Sequence, residues 1–390
     1  MQAPLNPNLL DTGTPPIPEA YAWVKRYGGA AGPLINMAQA APGTPPPPEL
    51  LQRLGAGAAD PLGARYGAIF GDDGLRSAFA AEQSAVYGAE FRLGDVHITA
   101  GCNLAFFVSI LAVAKAGDNV LLPTPWYFNH QMALSMLGIE ARPLPTSAET
   151  GFVPEPEVAA SLIDARTRAV VLVTPNNPTG AIYPAATIAK FADLAESRGI
   201  WLIMDETYRD FLPATHGRPH ELFQRDNWRG NILQLYSFSK AYCMPGHRLG
   251  AITGGGPIMK EMEKSLDTII ICPPRPAQAA VAWAIGALGE WRRETRKEII
   301  GRGEACRAAL ASMNDWEVSS LGAYFAYVRH PFPGTPSIKV AETLAMKHGV
   351  LALPGSYFGP GQDTHLRIAF ANAGTDVIAQ LPERMRGLSV

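Results

Sequence analysis

Only four of the 390 residues are cysteine, and no two of them stand in a CxxC pair or beside a histidine at metal-ligand spacing. Neither a disulfide framework nor a zinc site is expected from Cys102, Cys243, Cys272 and Cys306. Charge is scarce too, at 17% of residues, and nearly balanced, with 33 basic against 35 acidic side chains. So small an imbalance leaves no electrostatic footprint for nucleic acid or for an anionic membrane surface. The most apolar windows, Thr268–Cys272 and Ala279–Leu288, fall far short of the roughly 20 residues that a spanning helix needs. The chain has no GxxxxGK[ST], GxSxG or HExxH, and no GxGxxG after a strand pattern, which removes several common enzyme classes. Residues 1–13 hold no basic cluster followed by an apolar stretch, so a reducing cytoplasm is the expected location.

What is abundant is apolar residue, 47% of the chain, in a length that exceeds one ordinary core. Two domains are therefore expected. Residues 1–45 are rich in proline and glycine and read as an extended arm running into Pro45-Pro46-Pro47-Pro48, because consecutive prolines favour polyproline geometry. Residues 46–278 read as a large α/β domain. Strands are expected at Val96–Thr99, Asn119–Leu122, Ala169–Thr174, Ile200–Met204 and Ile232–Tyr236, alternating with helices over 103–115, 129–137 and 184–198. Continuous β-branched and apolar runs such as Ala169–Thr174 mark strands buried on both faces, and their alternation with helices implies a mainly parallel sheet. Residues 279–390 read as a smaller α+β domain that packs with the arm. It opens on one long helical stretch over 278–313, and includes strands near Tyr324–Val328 and Leu366–Ala369.

In an open parallel sheet, ligands bind beyond the carboxyl ends of the strands. The polar segments that follow the buried runs are Gly101-Cys102-Asn103, Asn176–Gly180, Asp205–Tyr208 and Ser237–Lys240. Each has a plain and a chemical reading. Lys240 is either a solvated strand-end lysine or, held against an apolar sheet edge, an amine whose pKa desolvation lowers toward nucleophilic use. Asp205 is either a cap or a carboxylate that meets a cation, since burial at the end of an apolar strand is otherwise costly. Asn176–Gly180 has the composition of an ordinary turn. Gly101-Cys102-Asn103 opens a helix whose free amides can hold a phosphate, with Ser237 and Ser239 as donors and Arg248 as counter-charge or as a structural ion pair.

Taken together and in order, these segments resemble the class I/II aminotransferases of fold type I, over nearly the whole chain. Ser237-Phe238-Ser239-Lys240, followed by Arg248-Leu249-Gly250, looks like that family's cofactor-lysine motif. The resemblance implies pyridoxal 5′-phosphate (PLP) held by Lys240 as a Schiff base, with its phosphate on Ser237, Ser239, Arg248 and the loop at Gly101, Cys102 and Asn103. It implies Asn177 and Tyr208 at the cofactor's phenolic oxygen and Asp205 at its ring nitrogen. The ring-stacking aromatic is Tyr127, with Trp126 as the second choice. Arg367, in Leu366-Arg367-Ile368-Ala369-Phe370, takes the place of the arginine that clamps the substrate carboxylate, a bidentate task that suits a planar guanidinium. Tyr66 resembles the tyrosine that reaches a phosphate across a homodimer interface. Two departures stand out: Ala40 in Asn36–Pro42 occupies the place of a glycine that lines the substrate pocket, and Cys102 and Asn103 stand where small hydroxyl or alanine residues are usual in the phosphate loop.

The implied activity is ping-pong transamination between an amino acid, neutral and either aromatic or aliphatic, and a 2-oxo acid. Lys240, Asp205 and Tyr208 are the expected catalytic residues, and Arg367, Asn177 and Ala40 the expected substrate contacts. Two other outcomes are compatible with the same cofactor residues. One is a PLP lyase, of the carbon–sulfur β-lyase or cyclopropane-forming type. The other is a PLP-binding regulatory module without turnover, which the absence of a basic helix-turn-helix segment disfavours.

Overall fold

The computed structural model describes residues 3–313 and 315–390. In chain order its strands are β1 (Ile35–Asn36), β2 (Val96–Thr99), β3 (Asn119–Thr124), β4 (Glu140–Pro145), β5 (Thr167–Val173), β6 (Trp201–Asp205), β7 (Ile232–Ser237) and β8 (Gly250–Thr253). The later strands are β9 (Glu317–Gly322), β10 (Phe325–Arg329), β11 (Val350–Leu351), β12 (Leu353–Pro354) and β13 (His365–Ala369).

Seven strands form the main sheet in the order β2-β8-β7-β6-β5-β3-β4, and only β8 runs against its neighbours. Alternate residues of one strand enter different cores, as the two-residue period of a strand requires. Val170 and Leu172 pack on one face, with Leu202, Met204 and Tyr236. Val171 and Val173 pack on the other, with Ile203, Leu233, Leu235 and the helix Cys102–Val113. Burial on both faces explains why β5, β6 and β7 are apolar without alternation.

A four-stranded antiparallel sheet, β12-β13-β10-β9, follows the long helices of the C-terminal part. The segment before the main sheet joins it: β1 pairs in parallel with β11, and the Ala369 N–H donates to the Met37 carbonyl at 2.7 Å.

Two expectations need correction. The stretch 278–313 is two helices, Gln278–Ala287 and Gly289–Ala311, and Leu288 between them leaves the helical backbone with φ −100° and ψ 22°. Glycines at 286 and 289 flank the break, and each costs a helix about 1 kcal/mol relative to alanine. The arm is not extended throughout. Helices Pro7–Asp11, Pro16–Val24 and Pro48–Ala59 each carry proline in the first turn, where its missing N–H has no intrahelical partner to lose. The extended form is kept at β1 and where the chain runs through Pro47 into the helix that follows.

Candidate active site

Because β2, β5, β6 and β7 run parallel, their carboxyl ends lie along one edge of the sheet. A cavity of about 250 Å³ sits there, lined by residues from each of the four ends.

After β2 the chain turns through Gly101, at φ +89°, into the helix Cys102–Val113, whose N-terminus has no side-chain cap. Glycine is required here twice over. The backbone is left-handed, and a Cβ would lie 2.1 Å from Nη2 of Arg248. Gly101 therefore makes room for the guanidinium and is not itself part of the cavity wall. Arg248 is also left-handed, at φ +53°, and its Nη1 donates to the Pro245 carbonyl at 3.0 Å. Cys102, Asn103, Ser237, Ser239 and Arg248 line the cavity together, and the buried Ser239 hydroxyl has no hydrogen-bond partner among the described residues. Uncapped helix amides, two hydroxyls and a guanidinium form a donor set that fits a phosphate or another anionic group.

The turn after β5 divides its work between two asparagines. The Asn176 side chain accepts from the Thr179 amide at 3.1 Å and from its hydroxyl at 2.9 Å, which shapes the turn. Asn177 faces the cavity and accepts from Arg367 Nη1 at 2.9 Å. Gly180 closes the turn at φ +76°, where its Cα touches the backbone of Gly322 at the end of β9.

Asp205, at the end of β6, is buried, and its carboxylate is held at several points. The Thr207 amide donates to Oδ1 at 3.0 Å, the Cys102 thiol lies 3.8 Å from the same atom, and His130 Nε2 lies 3.2 Å from Oδ2. His130 is held in turn by stacking on Phe106, with ring centroids 3.9 Å apart. The Thr207 hydroxyl donates to Cys102 Sγ at 3.4 Å. Tyr208 is buried against Tyr324 and Phe325, and burial pushes its hydroxyl pKa far up, so it stays a neutral donor.

Lys240 follows β7, and its Nζ donates to the Ala40 carbonyl at 2.5 Å. Burial, with the nearby positive charges of Arg248 and Arg367, brings its pKa down to about 8. The neutral, nucleophilic amine is therefore half populated near pH 8, whereas a solvated lysine needs about pH 10.4. Labelling of the protein as folded with a small aromatic aldehyde, trapped by borohydride and mapped by mass spectrometry, is expected to reach half its maximum at Lys240 near pH 8. Labelling that rises only with that of surface lysines would show that the amine is not activated.

Arg367, on β13, enters the cavity from the smaller sheet. It is almost fully buried, donates to Asn177 and to the Ala38 carbonyl, and keeps an unpartnered Nε among the described residues. Burial lowers its pKa to about 10, which leaves it charged at neutral pH. Phe325 and Phe358 each lie 5.1 Å from its guanidinium.

Of the site residues that the resemblance names, all line this cavity except Gly101, Tyr66 and the second-choice aromatic Trp126. Tyr66 is 78% exposed on the surface of the chain. Tyr127 reaches the cavity, with its hydroxyl 3.5 Å from Asn103 Oδ1, while the ring of Trp126 lies against Gly359. Sequence reasoning missed His130, Thr207, Phe128, Ile17 and Gln39. His130 is embedded in an ordinary helix pattern, and only the packing of the helix Phe128–Met136 brings it to Asp205.

Comparison with known proteins places the chain in a family. The family model for aminotransferase class I and II matches residues 32–385. The aromatic aminotransferase ISS1 of Arabidopsis thaliana is 28% identical over 347 residues, which is 86% of this chain and 84% of that protein. The valine–pyruvate aminotransferase of Mycobacterium tuberculosis is 28% identical over 376 residues, 94% of this chain and 95% of its own length. In fold, a double mutant of Thermus thermophilus aspartate aminotransferase superposes with a TM-score of 0.90, covering 98% of this chain and 99% of that one at 23% identity. The chain belongs to the aminotransferase class I and II family.

Proposed function

We propose that this chain is a PLP-dependent transaminase that moves an amino group between a neutral amino acid and a 2-oxo acid in a ping-pong cycle. The observation that carries this reading is the convergence of Lys240, Asp205, Asn177 and Arg367 on one cavity beside an anion cradle. The cradle of Ser237, Ser239, Arg248 and the 101–103 turn would hold the phosphate of PLP, Lys240 would hold the aldehyde carbon, and Asp205 would face the ring nitrogen. When bound, the cofactor supplies an electron sink for the substrate's α-carbon.

The remaining work falls to side chains of the chain itself. Arg367 pairs with the substrate α-carboxylate in a bidentate contact, and Asn177 fixes the orientation of the guanidinium. This places the α-carbon near Lys240, whose Nζ, with its pKa brought down by burial to about 8, takes the α-proton and later returns it. His130 and the Thr207 amide keep the Asp205 carboxylate aimed at the cavity. Tyr127 covers the ring slot. The cavity's cations, Lys240, Arg248 and Arg367, each have one of these tasks, so no cation of this chain's lining is left for a second substrate carboxylate. Ile17 and Phe128 add apolar surface, which favours a neutral donor. The exposed ring of Tyr66 supports a homodimer in which this tyrosine contributes to the neighbouring cavity.

The deciding experiment supplies one amino acid and one 2-oxo acid to the PLP-loaded protein and identifies the products. Equimolar formation of the new amino acid and the new 2-oxo acid is expected. Catalytic release of ammonia or thiol from the amino acid alone would establish the lyase reading and defeat this one.

A further inference from the structure

A second cavity, of about 490 Å³, shares no lining residue with the first. Its walls come from three places: the end of the helix Asp73–Tyr87, the turn after Tyr208, and the first turns of the helix Gly289–Ala311. Five guanidinium groups line it, those of Arg209, Arg218, Arg292, Arg293 and Arg296, against two carboxylates, Glu82 and Asp210.

The internal pairing does not consume these donors. Arg292 Nη1 is shared between Glu82 at 2.5 Å and Asp210 at 3.1 Å, but its Nε is buried with no hydrogen-bond partner among the described residues. Arg209 is only 5% exposed, and its Nη2 is likewise without a hydrogen bond, since Glu82 Oε2, itself unpartnered, stands 3.7 Å away. Asp210 is held from behind by the Tyr236 hydroxyl at 2.7 Å. Arg293 pairs with Glu290 on its own helix, and Arg218 reaches the exposed Glu221 only at 3.8 Å. Arg296 has no carboxylate within 4 Å among the described residues.

The helix that supplies Arg292, Arg293 and Arg296 runs for 23 residues and begins at Gly289 without a side-chain cap. Its free amides and dipole add partial positive charge at the cleft, offset in part by Glu290 in the first turn. A buried guanidinium nitrogen without an acceptor loses hydration and gains nothing in return. Arg209 and Arg292 are thus under-compensated from behind, and with Arg218 and Arg296, which face the cleft without a close carboxylate, they leave it net positive, which favours a ligand with several anionic oxygens.

We propose that this cleft is a binding site for a small multivalent oxyanion, a phosphate compound or a polycarboxylate, separate from the catalytic cavity. Both classes present the planar or tetrahedral oxygens that guanidinium forks bind bidentately. The site lies directly behind the active-site strand end, because Arg209 and Asp210 follow Tyr208 in the chain.

The test is titration calorimetry of the full-length, PLP-loaded protein with pyrophosphate and, separately, with citrate, each at ionic strength held constant with chloride. Saturable binding of at least one of these anions, at one per chain, is expected, and the tighter of the two identifies the ligand class. In the variant Arg218→Gln/Arg296→Gln that affinity should fall at least tenfold. In Arg248→Gln, which alters only the cofactor cradle, it should persist. Circular dichroism establishes that each variant is folded. No saturable binding to the wild type, equal affinity in the double variant, or loss confined to Arg248→Gln would overturn the proposal.

Discussion

Replacing Lys240 with alanine is expected to lower the amino-exchange rate by about 10³-fold or more, with little change in the fold. The size follows from the role. A positioned general acid–base group contributes roughly 10²–10⁴ in rate, and the same nitrogen also serves as covalent attachment point. The small cost to the fold follows from the geometry, since Nζ makes a single hydrogen bond, to the Ala40 carbonyl. Lys240→Arg is the sharper control. It restores a cation near Arg248 and Arg367, but a guanidinium does not give up its proton at any working pH. Arginine should therefore be as inactive as alanine, whereas added methylamine, a diffusible amine, should restore part of the alanine variant's rate. The measurements are steady-state exchange kinetics and far-ultraviolet circular dichroism. An arginine variant with near wild-type turnover would remove proton transfer from the duties of this residue.

The second large effect is expected at Arg367. Truncating one partner of a buried, hydrogen-bonded charge pair costs about 2–5 kcal/mol, and each 1.4 kcal/mol is tenfold. Arg367→Gln should therefore lower kcat/KM for α-amino acids by roughly 30- to 4,000-fold. Glutamine keeps much of the volume and a donor for Asn177, so the loss reports the missing charge. The discriminating substrate is the corresponding amine without a carboxylate. It has nothing for the guanidinium to hold, and the variant should process it as well as the wild type does. If both substrates suffer equally, Arg367 acts by supporting the cavity wall and not by holding substrate.

How far the sequence shows this arrangement depends on where each element is buried. Strands β5, β6 and β7 are legible because both faces are covered, which favours mostly apolar runs, interrupted in β7 by the buried Gln234. Their polar terminators, Asn177, Asp205 and Ser237–Lys240, stand out against those runs. β4 gives no such signal. It is an edge strand, half-buried along much of its length, and carries Pro143 and Pro145, whose missing N–H groups an edge tolerates readily. The prolines of the N-terminal segment are ambiguous for a related reason. The same residue that favours an extended chain also opens helices, and only tertiary packing of Ala20 and Trp23 decides which occurs. His130 and Thr207 are illegible for another reason: their contacts to Asp205 and Cys102 are made across elements, at separations that no local period encodes. The second arginine cleft is hidden in the same way, because its guanidiniums come from two segments about 80 residues apart, each of which reads as an ordinary solvated surface.

The meeting of Gly180 with Gly322 bears on how closely the two sheets can approach. A Cβ on Gly180 would lie 2.3 Å from the Gly322 nitrogen, and one on Gly322 would lie 2.2 Å from the Gly180 oxygen. With no side chain on either side, backbone lies directly on backbone. The loop that carries Asn177 is thereby seated against the sheet that carries Arg367, within reach of the bond between them. A methyl group added at either glycine would wedge the two ends of the carboxylate clamp apart.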